Sequence, residues 1–234
     1  MLPTYDEVAN LEPLVGAAME ALAGAAPEGF RVLVVDDASP DGTGRLADEL
    51  AARHAEVSVL HRTAKEGLGP AYLAGFAAAL EGGAGSVLEM DSDFSHDPAD
   101  LARLLATVHG GADLALGSRY VRGGGVPEWS ALRRAVSRGG CWYAQAVLGL
   151  RVRDLTGGLK CFRREVLEAI DLPSVRSRGY AFQVELTYRA LRRGFRVVEV
   201  PIVFHERREG TSKMSGRIAL EAIWRVPQMR LRAR

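Results

Sequence analysis

Apolar positions in the first half of the chain switch repeatedly between short continuous runs and a helical spacing. The short runs predict buried strands at residues 31–35, 57–60, 86–90 and 114–117, after a very short first strand near residues 2–5. Apolar residues three or four positions apart predict helices at residues 10–23, 43–54, 67–80 and 98–108. Because strands and helices alternate, we expect an α/β fold with a mostly parallel central sheet and helices on both faces.

The second half of the chain is richer in helical patterns and poorer in strands. Helices are predicted at residues 129–150, 164–170 and 180–193 and from about residue 215, with one strand at 196–200. Pro227 should interrupt the last helix and leave a short arm, because proline removes a helical hydrogen bond. No repeat or low-complexity linker separates the two halves, so we expect a single domain spanning residues 1–234.

Composition narrows the class of protein. The chain has 234 residues, 47% of them hydrophobic, which is enough to bury a core. Its net charge of +1 gives no overall positive field that would attract nucleic acid. Its two cysteines, Cys141 and Cys161, form no CxxC motif, which argues against a disulfide framework or a zinc site and fits a reducing cytosol. No apolar run reaches the roughly 18 residues of a membrane span, so we expect a soluble or peripherally attached protein.

The most informative motif is Asp91-Ser92-Asp93, directly after the predicted strand at 86–90. Two carboxylates one residue apart at a strand end can reach one cation, and hard oxygen ligands favour Mg²⁺ or Mn²⁺ held jointly with a diphosphate. The alternative is an aspartate-rich turn that caps the next helix. The motif therefore indicates nucleotide-diphosphate chemistry without establishing it.

A second acidic pair, Asp36-Asp37, follows the strand at 31–35. Ligands of parallel α/β sheets bind beyond the carboxyl ends of the strands, so Asp37 and Asp91 should face one site. Helix capping is the alternative role for one of the pair. Neither GxGxxG after a strand nor GxxxxGK[ST] occurs, which argues against a dinucleotide dehydrogenase or a P-loop enzyme.

Together these motifs resemble the inverting family 2 glycosyltransferases of GT-A fold, and among them the polyprenol (dolichol) phosphate mannosyltransferases. The broad resemblance rests on residues 3–7, 34–43, 90–96 and 117–120. The narrower one rests on residues 129–139, 154–158 and 200–204, with Arg207, Gly210, Ser212 and Lys213. It covers nearly the whole chain and implies transfer of mannose from GDP-mannose to a polyprenyl phosphate, with inversion.

The resemblance also implies roles for individual residues. Asp91, Asp93 and Arg119 would be catalytic, and Asp91, Asp93 and Ser95 would hold Mg²⁺ or Mn²⁺, with Ser95 where related enzymes often carry glutamine. The donor would be bound by Pro3, Tyr5, Glu7, Asp37, Asp91, Arg207 and Lys213. The acceptor phosphate would be bound by Arg119, Arg133 and Ser137. Residues 1–117 would form the nucleotide-sugar and metal half and residues 118–234 the acceptor half.

A phosphate acceptor changes what the enzyme needs. A phosphate monoester is largely dianionic at neutral pH and is already a nucleophile, so no strong general base is required. We therefore expect His61, His96 and His205 not to act as catalytic bases. The donor is less firmly indicated, because UDP-glucose would use the same metal and diphosphate contacts.

The acceptor lies in a membrane, and two segments could dock there. Residues 129–150 and 215–234 mix aromatic and aliphatic side chains with arginines, as interfacial helices do. A core-packing last helix with a solvated basic tail is the alternative. The interfacial interpretation predicts peripheral attachment to the cytoplasmic face, and it leaves open a separate membrane-anchoring protein.

Two other functions are less consistent with the motifs. A sugar-1-phosphate nucleotidyltransferase would need a glycine-rich basic loop near the N-terminus, and residues 3–7 are not one. A non-catalytic binding subunit should have lost the acidic pair, yet Asp91 and Asp93 are both present.

Overall fold

The structure, a computed structural model, describes residues 1–177, 179–208 and 216–232. Its strands are β1 (Leu2–Thr4), β2 (Val32–Asp36), β3 (Val57–His61), β4 (Ser86–Glu89), β5 (Leu114–Ser118), β6 (Lys160–Arg163) and β7 (Val197–Pro201). Its helices are α1 (Val8–Ala23), α2 (Thr43–Arg53), α3 (Leu68–Glu81), α4 (Asp100–His109), α5 (Ala131–Leu148), α6 (Arg164–Ala169), α7 (Gly179–Arg192) and α8 (Gly216–Arg232), with a 3₁₀ turn at Leu172–Ser174.

The strands form two hydrogen-bonded groups. Parallel strands β1, β2 and β3 lie in that order, and a four-stranded group has the order β4-β6-β5-β7. Backbone bonds join the groups, because the Met1 amino group donates to the Leu88 carbonyl at 2.9 Å and Met90 N–H donates to the Met1 carbonyl at 3.3 Å. Strand β6 runs antiparallel between β4 and β5, and the hydrophobic pattern did not predict it. The α/β class with a mostly parallel sheet is confirmed.

Helices cover both faces of the sheet. One core cluster joins β1 and β2 to α1, α2 and α4 through side chains such as Leu14 and Leu104. A second cluster joins β4 and β6 to α3, α6 and α7 around Phe76 and Phe182. A third cluster packs α5, α7 and α8 together beside Leu116 of β5. Burial of these apolar side chains is the main favourable contribution to the layered fold.

The prediction that Pro227 ends the last helix is wrong, because α8 continues through it to Arg232. A proline inside a helix costs about 3 kcal/mol, and the neighbouring buried residues Val226 and Met229 pack into the third cluster and offset that cost. Among the helices that the structure describes, none has the length and apolarity needed to cross a bilayer.

The strand ends that precede the acidic motifs are tied together by local hydrogen bonds. Asp37 N–H donates to the Thr4 carbonyl at 3.0 Å, at the ends of β2 and β1. Ser92 Oγ donates to the Pro3 carbonyl at 2.8 Å, which links the segment after β4 to β1. The loops after β1, β2 and β4 therefore open at the same edge of the sheet, as parallel topology requires.

Candidate active site

A large cleft of about 950 Å³ opens at this edge of the sheet. It brings together ten of the residues predicted from the sequence: Pro3, Tyr5, Glu7, Asp37, Asp91, Asp93, Ser95, Arg119, Arg133 and Arg207. Ser137 does not line the cleft, and Lys213 lies outside the described residues. Residues 65–71, which lead into the first turn of α3, and Trp224 of α8 also line the cleft, and sequence reasoning assigns them no role in the site.

Asp91 lies at the base of the cleft and is partly exposed. Its Oδ1 accepts a hydrogen bond of 3.0 Å from the Tyr72 hydroxyl, and its Oδ2 lies 3.9 Å from His96 Nδ1. Burial raises the pKa of Asp91; the neighbouring His96 lowers it and the Asp93 carboxylate raises it further. Gly158 faces this carboxylate so closely that a Cβ there would lie 2.9 Å from Asp91 Oδ2.

Asp93 is buried and already engaged by protein groups. Its Oδ1 accepts from Ser95 N–H at 3.0 Å, and its Oδ2 lies 2.8 Å from Arg207 Nη2. Two carboxylates that face one cleft suit a divalent cation. Within the described part of the chain, no cluster of three or more His, Cys, Asp or Glu side chains could hold a metal ion. The donor set therefore fits a cation completed by ligand and water oxygens, as Mg²⁺ commonly is.

Asp37 forms part of the wall beyond β1 and β2. Its carboxylate accepts from Gly67 N–H at 2.8 Å and from Glu66 N–H at 3.2 Å, and it also pairs with Arg62. These contacts fix the loop that starts α3. Lys65, in the same loop, lies 3.5 Å from the centre of the Tyr5 ring. The wall thus carries an acidic group that is held by the loop before α3 and an aromatic ring that is covered on one face by Lys65.

Neither Asp36 nor Asp37 caps α2, so that prediction is wrong. The Asp36 carboxylate accepts from Ser39 N–H at 3.3 Å and stays in the turn. Asp41 instead accepts from Thr43 N–H at 3.0 Å, at the first residue of α2. The aspartate closest to the helix start takes the capping contact, which leaves Asp37 for the cleft.

At the opposite end of the cleft, Arg119 is held by a buried carboxylate. Its Nε and Nη2 each donate to Asp154 at 2.7 Å, and Nη2 also donates to Thr156 Oγ1 at 2.8 Å. Burial lowers the pKa of Arg119, but the Asp154 carboxylate outweighs this and raises it above its ordinary value. Burial likewise raises the pKa of Asp154, and Arg119 more than reverses that, leaving it below its usual range. Both groups are therefore charged.

Sequence reasoning singled out residues 154–158 but gave Asp154 no role. A single aspartate in a turn carries no sign of its partner, and the contact joins positions 35 residues apart. The pairing fixes the guanidinium plane, which is the geometry needed for bidentate contacts to phosphate. The guanidinium carbon of Arg119 also lies 5.3–5.5 Å from the centres of three aromatic rings: Tyr120, Trp129 and Phe204.

Arg133, in the first turn of α5, has a different environment. Its guanidinium carbon lies 4.1 Å from the centre of the Trp129 ring, and its Nη1 lies 2.9 Å from Glu206 Oε1. Both ionic side chains are about half exposed, at 51% and 56%. Ser137 lies one turn further along α5 and accepts from the Tyr120 hydroxyl at 2.6 Å. The predicted acceptor residues are thus near one another, although only the arginines reach the cleft.

The segment 203–208, which we call the strap, crosses the cleft between these two ends. Phe204 N–H donates to the Gly125 carbonyl at 2.9 Å, and His205 N–H donates to the Ser95 carbonyl at 3.0 Å. Arg208 N–H donates to the Asp93 carbonyl at 3.0 Å. The strap therefore binds the backbone of the carboxylate loop and the loop that leads to α5.

Beneath the carboxylates lies a buried ionic network that the sequence did not predict. Lys160 of β6 is fully buried, and its Nζ donates to Glu89 Oε1 at 3.0 Å and to the Gly157 carbonyl at 2.8 Å. It also contacts the side-chain oxygen of Gln183 on α7. Desolvation raises the pKa of Glu89 to about 7, against the lowering effect of Lys160. This network fixes the end of β4, just before Asp91.

The three histidines considered as bases do not line the cleft. His61 pairs with Asp48 at 2.8 Å and His205 with Glu128 at 3.0 Å, both near the surface. His96 is buried edge-on against Phe204, with ring centres 5.1 Å apart. Burial lowers the pKa of His96 below its ordinary value, which favours the neutral ring.

Outside the cleft, α5 and α8 expose several large apolar side chains. On α5, Leu132 is 76% and Trp142 70% exposed, and Val136 is exposed between them. On α8, Trp224 and Leu231 are exposed, while Val226 and Met229 face the core. The last helix therefore packs on one side, as the alternative interpretation predicted, and also carries an exposed apolar side.

The chain is similar to known glycosyltransferases over most of its length. A family model described as glycosyl transferase family 2 matches residues 1–171. Polyprenol monophosphomannose synthase of Mycolicibacterium smegmatis is 51% identical over all of this chain and 87% of its own length. Undecaprenyl-phosphate mannosyltransferase of Micrococcus luteus is 49% identical over all of this chain and 94% of its own. Dolichol-phosphate mannosyltransferase of Pyrococcus furiosus is 35% identical over 94% of this chain and 60% of its own.

Solved structures show the same fold at low sequence identity. Glucosyl-3-phosphoglycerate synthase from Mycobacterium tuberculosis, in complex with phosphoglyceric acid, has a TM-score of 0.71 at 19% identity, covering 97% of this chain and 78% of that one. The same enzyme with Mn²⁺, uridine diphosphate and glucosyl-3-phosphoglycerate has a TM-score of 0.69 at 18% identity, covering 97% and 77%.

Proposed function

Because this chain belongs to glycosyl transferase family 2 and is a glycosyltransferase of GT-A fold, we propose that it transfers mannose from GDP-mannose to a polyprenyl phosphate. The family membership confirms the resemblance found in the motifs. Two relatives about half identical over the whole chain are named for mannosyl transfer to polyprenol or undecaprenyl phosphate, which supports the same substrates here.

One observation carries the proposal: the cleft has carboxylates at one end and arginines at the other. Asp91 and Asp93 line the first end, and Arg119 and Arg133 line the second. A donor diphosphate with its cation suits the acidic end. A second phosphate suits the arginines, because a guanidinium offers paired N–H donors to phosphate oxygens. An acceptor that is a plain hydroxyl would not need the second end.

The reaction then needs positioning more than proton transfer. An oxygen of the dianionic acceptor phosphate attacks the anomeric carbon of mannose, and the bond from that carbon to the diphosphate of GDP breaks with inversion. Asp154 orients Arg119, and Arg119 with Arg133 directs the acceptor phosphate while screening its charge from the donor. We propose that Ser137 completes this phosphate site through Tyr120.

The donor is bound along the other wall. We propose that Pro3, Tyr5, Glu7 and Asp37 contact the nucleoside and that Arg207, with Lys213, contacts the diphosphate. Asp91 and Asp93 would hold Mg²⁺ or Mn²⁺, with Ser95 beside them as a weaker third ligand. When bound, the cation would neutralise the charge that develops on the departing GDP. Residues 1–117 would thus serve the donor and residues 118–234 the acceptor.

We further propose that the enzyme acts peripherally on the cytoplasmic face of a membrane, with or without a separate anchoring protein. The exposed apolar side chains Leu132, Val136 and Trp142 of α5 alternate with arginines such as Arg134 and support this attachment. The same helix carries Arg133 into the cleft, so docking would present the acceptor phosphate close to its binding residues.

A transfer assay with purified protein tests the proposal. Radiolabelled GDP-mannose and UDP-glucose are compared with polyprenyl phosphate and Mg²⁺ or Mn²⁺. We expect labelled lipid from GDP-mannose with β configuration, and Asp93→Asn to lower the rate by roughly 10²–10³-fold because it removes preorganised negative charge. Asp97→Asn, at an exposed position four residues away, is the matched control and should keep wild-type activity.

Each other outcome has a definite meaning. Labelled lipid from UDP-glucose alone would show that the donor is UDP-glucose, with polyprenyl phosphate still the acceptor. Retained configuration would contradict the single displacement. No labelled lipid from either donor would contradict the proposed acceptor class.

A further inference from the structure

The strap is anchored by the backbone N–H groups of Phe204, His205 and Arg208, and it carries two charged side chains between these anchors. Phe204 packs edge-on against His96 and Trp129, with ring centres 5.1 and 5.4 Å apart. Glu206 and Arg207, two and three residues further along the chain, both line the cleft. They are neighbours in sequence, so a movement of one displaces the other.

These two side chains contact opposite ends of the cleft. Arg207 lies 2.8 Å from Asp93 Oδ2 at the acidic end. Glu206 lies 2.9 Å from Arg133 Nη1 at the basic end. Arg207 therefore occupies Asp93, which the proposed function assigns to the cation, and Glu206 occupies Arg133, which it assigns to the acceptor phosphate. Each side chain has the same sign of charge as the substrate component that it replaces. Arg207 stands in for a cation, and Glu206 stands in for a phosphate.

We propose that Glu206 couples the two substrates: it competes with the acceptor phosphate for Arg133, and donor binding releases it. The inference rests on the proposed function, because it assumes that Arg133 binds the acceptor phosphate. A nucleoside diphosphate with its cation competes with Arg207 for Asp93 and gives the guanidinium a new anionic partner. Arg207 then leaves Asp93, and the linked backbone draws Glu206 away from Arg133.

The sign of the coupling follows from the shared strap. Both substrates bind best when the strap has left its present contacts, so the first to bind bears the cost of moving it. The second then binds more tightly, which is positive coupling and must be reciprocal. The Arg133–Glu206 pair is half exposed, and such pairs contribute about 0.2–1 kcal/mol, so the coupling should be about 1.4- to five-fold.

Calorimetric binding of farnesyl phosphate, a short prenyl phosphate, measures this coupling without turnover. The dissociation constant is determined alone and in the presence of saturating GDP and Mn²⁺. For the wild-type chain we expect the second value to be lower by about 1.4- to five-fold. An equal or higher value with GDP and Mn²⁺ would overturn the inference.

Glu206→Gln tests the residue itself. We expect farnesyl phosphate to bind this variant more tightly without GDP, and the ratio of the two dissociation constants to fall towards one. Glu12→Gln is the matched control, because the Glu12–Arg53 pair has the same length within 0.1 Å and similar exposure, at 2.8 Å and about half exposed, far from the cleft. This control should keep the wild-type ratio.

The possible results distinguish failure of the coupling from failure of its premise, that the cleft binds an acceptor phosphate. If Glu206→Gln tightens binding equally with and without GDP, the residue contributes only a local field and the coupling is wrong. If the wild-type chain binds farnesyl phosphate in neither condition, the acceptor class of the proposed function is wrong and the inference fails with it.

Discussion

Arg119 and Arg133 line the same cleft but have opposite surroundings, one buried and one half exposed. Arg119 is almost fully buried, and two of its nitrogens are fixed by Asp154. Arg133 lies in the exposed first turn of α5, where its side chain contacts Glu206 and the Trp129 ring. The first arginine cannot turn without breaking a buried ion pair, whereas the second can change partners at little cost.

This difference separates two tasks that one phosphate site must combine. A fixed guanidinium sets where the acceptor oxygen sits relative to the anomeric carbon. An adaptable guanidinium lets a lipid phosphate enter and lets its product leave. The cleft therefore combines one fixed and one adaptable arginine, and we expect substitutions to affect stability at the first and acceptor binding at the second.

The largest effect is expected when the fixed arginine loses its partner. Asp154→Ala leaves the Arg119 charge buried and unpaired, and we expect the free energy of unfolding to fall by about 3–5 kcal/mol. Urea denaturation measures this loss. Glu12→Ala removes an exposed carboxylate from an ion pair of similar length, and it should change stability by only about 0–1 kcal/mol. Equal losses of unfolding free energy in the two variants would contradict a larger contribution from the buried ion pair than from the exposed one.

The same ion pair gives the wild-type protein an acid-dependent stability. Burial raises the pKa of Asp154, but Arg119 outweighs it, so the folded value lies below the ordinary one. The contribution is therefore complete above the ordinary aspartate pKa and is lost as the pH falls through the lowered folded value. In the Asp154→Ala variant this part of the acid dependence should be absent.

A smaller and different effect is expected at the adaptable arginine. Arg133→Gln removes a charged hydrogen-bond donor to the acceptor, and we expect the acceptor KM to rise by roughly 10-fold or more. The donor KM and the melting temperature should change little, because the side chain is exposed. Steady-state kinetics with each substrate varied measures this, with Arg31→Gln as the control, since Arg31 is exposed and does not line the cleft.

A result in which Arg133→Gln raised both KM values equally would contradict an acceptor-specific role. A large loss of stability would contradict the adaptable character of this region.

The smallest effect is expected on the outer side of α5. Replacing Leu132 and Val136 with serine removes exposed apolar surface, and we expect binding to vesicles containing anionic lipid to fall by roughly 10-fold. Vesicle flotation measures the bound fraction, while melting temperature should be unchanged because both residues are exposed. Val8→Ser, at an exposed position of α1, is the control. No binding of the wild-type chain to such vesicles would contradict docking by this helix.

Local patterns predicted the order of elements in the first half of the chain and the acidic motifs at its strand ends. These succeeded because the apolar runs are short, continuous and followed directly by polar turns, as at Ser86–Glu89 before Asp91. The predicted helix at 129–150 and the observed α5 differ by only two residues at each end. The positions of such helices and strands depend mainly on residues close in sequence, and the hydrophobic pattern records those residues directly.

Features that depend on distant partners were not predictable in the same way. Strand β6 begins with Lys160, a residue that a hydrophobic pattern counts as exposed, yet it is buried against Glu89 from 71 positions away. Glu206 looks like an ordinary surface charge until its distance to Arg133 is known. The helix through Pro227 persists because tertiary packing outweighs an unfavourable local preference.

The chain has three tryptophans, and the fold gives each a different neighbourhood. Trp129 lies beneath Arg133, Trp142 stands on the outer side of α5, and Trp224 lies at the rim of the cleft. Indole emission depends on the polarity around the ring, so variants that keep one tryptophan would carry built-in optical reporters. Trp129 would report changes at the acceptor arginine, Trp142 contact with lipid, and Trp224 occupation of the cleft, each without an added label.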